Sequence, residues 1–294
     1  MQELADLVMP LSIGIIMFGI GLELRFKDFR RVFFYPKSVI IGLASQIILL
    51  PLTALVLVYF WPIDPVYKVG IMLIAACPGG TASNLVAKVL KGRVPLSITL
   101  TAFNSFLILF TIPFVVTLSF DLFAQESQQV DLGFWETMKE ILLTVVFPVL
   151  GGIAVSEMVS DKTRESFHKP LNYILPGIML LAFIIVVFFD NSNQDIRYLE
   201  NAHLLIPLII LNILTMLIGF FTAQKLKLKH KTAYTIAIEM GLQNSVLALY
   251  ISNELLSNDK LSLIAILYSS FSLLSTFGIA LFLKQYGTKT ATEN

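Results

Sequence analysis

The sequence predicts an all-α polytopic membrane protein that crosses the bilayer nine times. Three observations carry that prediction. First, 56% of the 294 residues are hydrophobic, about 165 positions, where a soluble domain has roughly 45–50%. Second, only 14% are charged, 21 basic and 20 acidic residues, and the mean hydropathy is +0.80. Third, the apolar residues gather in runs of helix length without two-residue alternation, which excludes a β-barrel. A span needs about 20 apolar residues, so nine take about 180 positions, close to what the chain supplies. A soluble enzyme, a disordered chain and a nucleic-acid binder are thereby excluded, and the net charge of +1 offers no field for polyanions. The single cysteine, Cys77, excludes an intrachain disulfide. No cleavable leader is expected, because the first apolar run starts almost at once, has no basic region before it and is followed by basic residues.

The runs fall at 8–22, 38–60, 66–88, 95–119, 138–158, 171–189, 204–222, 232–253 and 261–283. The first is short and reaches to Ala5 and Leu24 to cross. Charge sets the orientation. If the loop after the first span is cytoplasmic, that side collects Arg25, Lys27, Arg30, Arg31, Lys37, Lys88, Lys91, Arg93, Lys162, Arg164 and Lys169. It also takes Lys225, Lys227, Lys229, Lys231, Lys284 and Lys289, which makes 17 of the 21 basic residues. Lys68, Lys139, Arg197 and Lys260 remain on the other side. Positive-inside then predicts the N-terminus outside and the C-terminus in the cytoplasm, with Trp61, Tyr67 and Trp135 at the outer interface. A miscounted span would scramble this asymmetry.

Two spans carry polar interruptions. In the third, Cys77-Pro78-Gly79-Gly80-Thr81-Ala82-Ser83-Asn84 combines a proline, which removes a backbone donor, with two glycines that weaken the helix. In the eighth, Glu239-Met240-Gly241-Leu242-Gln243-Asn244-Ser245 sets amide and hydroxyl oxygens beside a carboxylate at membrane depth. No lysine or arginine lies at that depth to pair with Glu239, and a lone carboxylate there costs several kcal/mol unless protonated, paired or bound to a cation. Breaks at mid-membrane are tolerated where backbone lines a cavity; freed carbonyls then attract cations and half-helix N-termini attract anions. The competing reading is a packing kink with a protonated glutamate tying two helices together. The third span runs inward and the eighth outward, so spans one to four (8–119) and six to nine (171–283) form inverted halves around an unpaired fifth (138–158).

The run CPGGTASNLVAKVLKGRVPLSITLTAFNS from Cys77 to Ser105, the downstream EMGLQNS from Glu239 to Ser245, and GIIMFGIGLEL from Gly14 to Leu24 resemble the bile acid:sodium symporter family over essentially the whole chain. The resemblance implies a panel of spans one, five and six and a core of the others, in which the third and eighth spans cross. It implies two sodium sites. The first takes Ser83, Asn84, Ser97, Thr101 and Glu239; the second takes Gln46, Glu239, Gln243 and the backbone carbonyls of Met240 and Leu242. It places an organic anion beside the crossing, near Thr81, Ala82 and Asn244. In the last span, where several members have a histidine-asparagine pair, this chain has Ser272-Leu273, so Ser272 is the candidate contact and bile acids themselves are placed in doubt. Taken alone, Gln46 reads equally as a helix-helix hydrogen bond, and Ser97 and Thr101 as hydroxyls bonded to their own helix.

The function so implied is sodium-coupled symport of a small organic anion, bile-acid-like or another carboxylate. The alternative on the same fold is a proton-coupled transporter or exporter. The expected partners are sodium ions, the anion and membrane lipids, with no nucleic acid, no organic cofactor and a monomer in the inner membrane of a bacterium. An intramembrane enzyme would need an aspartate pair, a serine-histidine pair or a metal cluster at depth, and none is present. A channel is distinguished by flux that neither saturates nor couples. Cys77 reads as a small packing residue, His168, His203 and His230 as solvated loop residues, and the Lys225–Lys231 cluster as a topology signal.

Overall fold

The computed structural model describes residues 11, 14, 15, 17–22, 24–124, 134–160 and 201–292. Every named element among them is helical. After the first helix, described in residues 14, 15 and 17–22, come α1 (Phe26–Phe34), α2 (Pro36–Phe60), α3 (Pro65–Ala76), α4 (Thr81–Val89) and α5 (Val94–Phe123). They are followed by α6 (Met138–Met158), α7 (Ala202–Lys225), α8 (His230–Gly241), α9 (Ser245–Tyr250) and α10 (Asp259–Thr292).

Five of these, α2, α5, α6, α7 and the part of α10 to Tyr286, are long and apolar enough to cross a membrane. The third and eighth expected spans are each split, into α3 with α4 and α8 with α9. The expected span at 171–189 lies outside the described residues, as do His168 and Trp135's side chain.

Prolines shape the long helices. Pro51 has no N–H and its ring clashes with the carbonyl a turn earlier, and the helix answers with a π turn at Ser45–Leu49, closed by Leu50 N–H on the Ser45 carbonyl. The same device recurs at Leu142–Val146 in front of Pro148. The first of these widened turns carries Gln46 and buries it.

The helix ends sort into two groups. Asp64 caps α3 by accepting from Val66 N–H at 2.9 Å and pairs with Lys260 at 3.0 Å, while Tyr67 Oη donates to Asn201 at 3.2 Å. At the other end, Tyr234 Oη donates to the Lys91 carbonyl at 2.9 Å and Arg93 N–H to Thr235 at 2.8 Å. The Arg93 guanidinium lies 4.1 Å from the Tyr35 ring, and His230 bonds the Lys284 carbonyl at 3.1 Å. His230 is therefore not the solvated loop residue expected. It is the first residue of α8, half-buried and edge-on to Phe220 and Tyr234.

The first helix packs on α6 through Gly21 and Gly152. A Cβ on either would collide with backbone of the other helix, so only glycine permits this approach. Phe26 N–H donates to Glu157 at 3.0 Å and extends the tie. The other face of the first helix, with Met17 and Ile20, lies against the break between α3 and α4.

Candidate functional site

The two breaks meet. Pro78 and Gln243 form an antiparallel bridge, and Asn244 N–H donates to the Cys77 carbonyl at 3.0 Å. Gly79 lies so close to the Leu242 carbonyl that a Cβ would strike it, which is why the sequence has glycine there. Four half-helices thus converge on one point, with α3 and α8 ending there and α4 and α9 beginning.

Breaking a helix leaves carbonyls without donors, and a buried orphan must be satisfied. The Gly241 carbonyl accepts from Asn212 Nδ2 at 2.7 Å and Tyr268 Oη at 2.8 Å, while Asn212 Oδ1 accepts from Ser275 at 2.8 Å. The Met240 carbonyl accepts from Gln243 Nε2 at 2.8 Å and Thr215 Oγ1 at 3.1 Å. Helices α7 and α10 therefore hold the eighth-span break open in a fixed shape. Asn244 caps α9 by accepting from Leu247 N–H at 3.1 Å.

Glu239 is completely buried on α8. Its carboxylate accepts from Ser97 Oγ on Oε1 and from Gln46 Nε2 at 3.4 Å on Oε2, and Gln46 Nε2 also reaches the Glu239 carbonyl at 3.2 Å. Ser97 Oγ stands 2.6 Å from Asn84 Oδ1, which Thr101 Oγ1 approaches at 3.5 Å. Ser83, also fully buried, donates to the Gly80 carbonyl at 2.8 Å. Five residues the sequence singled out, Ser83, Asn84, Ser97, Thr101 and Glu239, are thus one cluster drawn from α4, α5 and α8.

At Ser97 two acceptors compete for one proton. Ser97 has a single hydroxyl proton and two oxygens within bonding reach. Gln243 Oε1 is buried without a partner. No group of three histidine, cysteine or acidic side chains occurs among the described residues, so the donors are hard neutral oxygens around one carboxylate. Such a set suits an alkali cation rather than a transition metal.

Not every expected residue joins it. The Met240 carbonyl spends its two lone pairs on protein donors, and the Leu242 carbonyl faces Gly79. Thr81 opens α4, but its side chain lies outside the described part; Ala82 is half-buried. Beside the crossing is a cavity of about 20 Å³ walled by Met17, Ile20, Gly80, Thr101, Asn104 and Asn244, among others, and Ser272, buried on α10, is not on it. A cavity of that size has room for about one water and none for an organic anion. A groove of about 600 Å³ between α2 and α7 is almost wholly apolar and offers an anion nothing. Asn104, Asn212, Thr215 and Tyr268 were missed in the sequence, where each is a single polar residue inside an apolar run. Only their presence at membrane depth could have drawn attention to them.

Residues 10–197 match the profile of the Sodium Bile acid symporter family. The uncharacterized sodium-dependent transporter YocS of Bacillus subtilis is 33% identical over 234 residues, 79% of this chain and 70% of that protein. The probable sodium/metabolite cotransporter BASS1, chloroplastic, of Arabidopsis thaliana is 26% identical over 251 residues, 84% of this chain and 59% of that protein. The hepatic sodium/bile acid cotransporter of Rattus norvegicus is 26% identical over 256 residues, 84% of this chain and 67% of its own length. These relatives are transporters, not enzymes, and with more than half its length matched by the profile the chain belongs to the sodium bile acid symporter family.

Proposed function

We propose that the chain is a sodium-coupled symporter of a small organic anion that works by alternating access. One observation carries the reading: the buried oxygen cluster around Glu239, in which two acceptors compete for the Ser97 proton and the carboxylate has no paired lysine or arginine among the described residues. Sodium would sit in two places. Ser83, Asn84, Ser97, Thr101 and Glu239 hold one ion; Gln46, Gln243, Glu239 and the Met240 and Leu242 carbonyls hold the other, once Met240 exchanges a protein donor for the cation. Two ions against one carboxylate leave a single positive charge, which a monoanion neutralises. The N-terminal ends of α4 and α9 attract that anion beside the crossing, near Thr81, Ala82 and Asn244. Ser272-Leu273 leaves the last span fewer polar contacts than a histidine-asparagine pair and favours a carboxylate other than a bile acid.

The nine-span, inverted-repeat layout with 8–119 and 171–283 as its halves is supported by the antiparallel meeting of the two breaks. A panel of spans one, five and six is supported by the Gly21–Gly152 contact, and movement of the core against it opens the cavity to either side. Coupling follows from linkage: sodium that favours the anion-competent crossing must in turn be bound more tightly when the anion is present. The protein lies in the bacterial inner membrane as a monomer, N-terminus outside. A proton-coupled transporter needs the carboxylate alone, and the surplus of hard oxygens favours sodium.

The test is thermal unfolding of the purified chain in sodium and in potassium at equal ionic strength, for wild type and Glu239→Gln. A ligand that binds only the folded state stabilises it by RT ln(1 + [L]/Kd). Saturable stabilisation selective for sodium and absent in the variant is expected. A wild type indifferent to sodium rejects the reading, and uptake driven by pH then becomes the experiment.

A further inference from the structure

Asn104 lies in the middle of α5 and is 2% exposed. Its amide has two ends with different surroundings. Nδ2 donates to Gln46 Oε1 at 2.8 Å, and Gln46 in turn donates through Nε2 to Glu239. Oδ1 is buried without any partner, and Asn104 is part of the wall of the small cavity that Thr101, Asn244, Met17 and Ile20 also line. A bare buried acceptor is uncommon, and it is kept where something other than the folded protein supplies the donor.

We infer that Asn104 is a positioning residue that fixes Gln46 for the cation and ties that ligand to the wall of the cargo cavity. This rests on the sodium-coupled reading above. A glutamine amide fits its site in two ways, related by exchange of oxygen and nitrogen. With Asn104 Nδ2 on it, the Gln46 oxygen must lie where it does, its second lone pair open and Nε2 turned to Glu239. Without Asn104 the oxygen end of Gln46 loses its donor, and the amide is oriented from the nitrogen end alone, by two long bonds to Glu239 oxygens at 3.2 and 3.4 Å. The widened turn at Ser45–Leu49 brings Gln46 within reach of α5, so the relay runs α5 to α2 to α8. Because the same planar amide belongs to the cavity wall, any cargo that hydrogen-bonds to it holds the plane that holds Gln46.

The experiment is a sodium titration of the thermal unfolding of the full-length purified chain. Wild type, Asn104→Leu, Gln46→Leu and the double variant are compared, with Ser119→Ala, whose hydroxyl bonds its own helix at the Val115 carbonyl, as control. Asn104→Leu is expected to raise the half-saturating sodium concentration about 10-fold, the low end of what losing an orienting partner costs a metal site. In the Gln46→Leu background the same change should do nothing further, and Ser119→Ala should leave the titration in place. If Asn104→Leu does not fold, Asn104→Ala replaces it in the same cycle. A half-saturation equal to wild type, or effects of Asn104 and Gln46 that simply multiply, overturns the inference while sodium binding stands. A wild type without any sodium effect removes both this inference and the reading beneath it.

Discussion

Ser97 has one proton to give and stands between two oxygens that can take it, Asn84 Oδ1 and Glu239 Oε1. Whichever receives it, the other is left to a neighbour or to an ion. Ser83, Asn84 and Glu239 stood out in the sequence, because a proline-glycine break and an acidic residue at membrane depth are conspicuous against apolar runs, whereas Ser97 and Thr101 were reached only through the family resemblance. The sequence hid Asn104, since a lone asparagine in a 30-residue helix gives no hint of which neighbour it meets. At Gly79 the close carbonyl of Leu242 leaves no room for a methyl group, so Gly79→Ala should separate the two breaks. We expect it to abolish sodium-dependent stabilisation and to lower the melting temperature in potassium as well. Asp64 offers a residue-scale pH test outside the membrane. Partial burial works against its charge, but Val66 N–H and Lys260 outweigh it and hold the carboxyl below its ordinary value. Its contribution is present above the unfolded pKa, about 3.9, and is lost as pH falls through the lower folded value. Asp64→Ala should therefore destabilise at neutral pH, by about 1 kcal/mol for a lost N-cap, and the difference from wild type should shrink below about pH 4.

Helices were legible by their runs, and breaks by their composition, but not how the breaks are held. Asn212 on α7 and Tyr268 on α10 serve the Gly241 carbonyl, and this follows from packing between distant segments. Asn212→Leu leaves that carbonyl with one donor fewer and should cost about 1–3 kcal/mol in thermal stability, read in the absence of sodium. The π turns were equally hidden, although a proline inside an apolar run is a visible reason to expect one. Just beyond α4, Lys91 has φ 58°, and Gly92 N–H donates to the Ala87 carbonyl at 2.6 Å. A lysine in that left-handed position is disfavoured by about 1 kcal/mol relative to glycine. Lys91→Gly is accordingly expected to raise the melting temperature without altering sodium affinity; a fall would show that the lysine side chain matters more than the backbone.

Across the whole molecule, basic loops that the charge count assigned to one side do meet: Lys91 and Arg93 touch α8, and Lys284 touches His230. Asp64, Tyr67, Asn201 and Lys260 share the opposite end. Absolute orientation was legible only as a charge bias, because nothing in a folded chain says which end met the cytoplasm. With Cys77 replaced by alanine, a membrane-impermeant maleimide on intact cells should label Ser257→Cys, while Lys227→Cys should react only after lysis. The reverse pattern would turn the protein over. Left in place, Cys77 has another use. Its carbonyl closes the crossing and its side chain is completely buried. It is the chain's only thiol, so any modification of the native protein reports a moment when this junction has parted. The rate of that reaction, followed by intact mass, counts openings over time, and the molecule carries its own clock for the motion without a label being added.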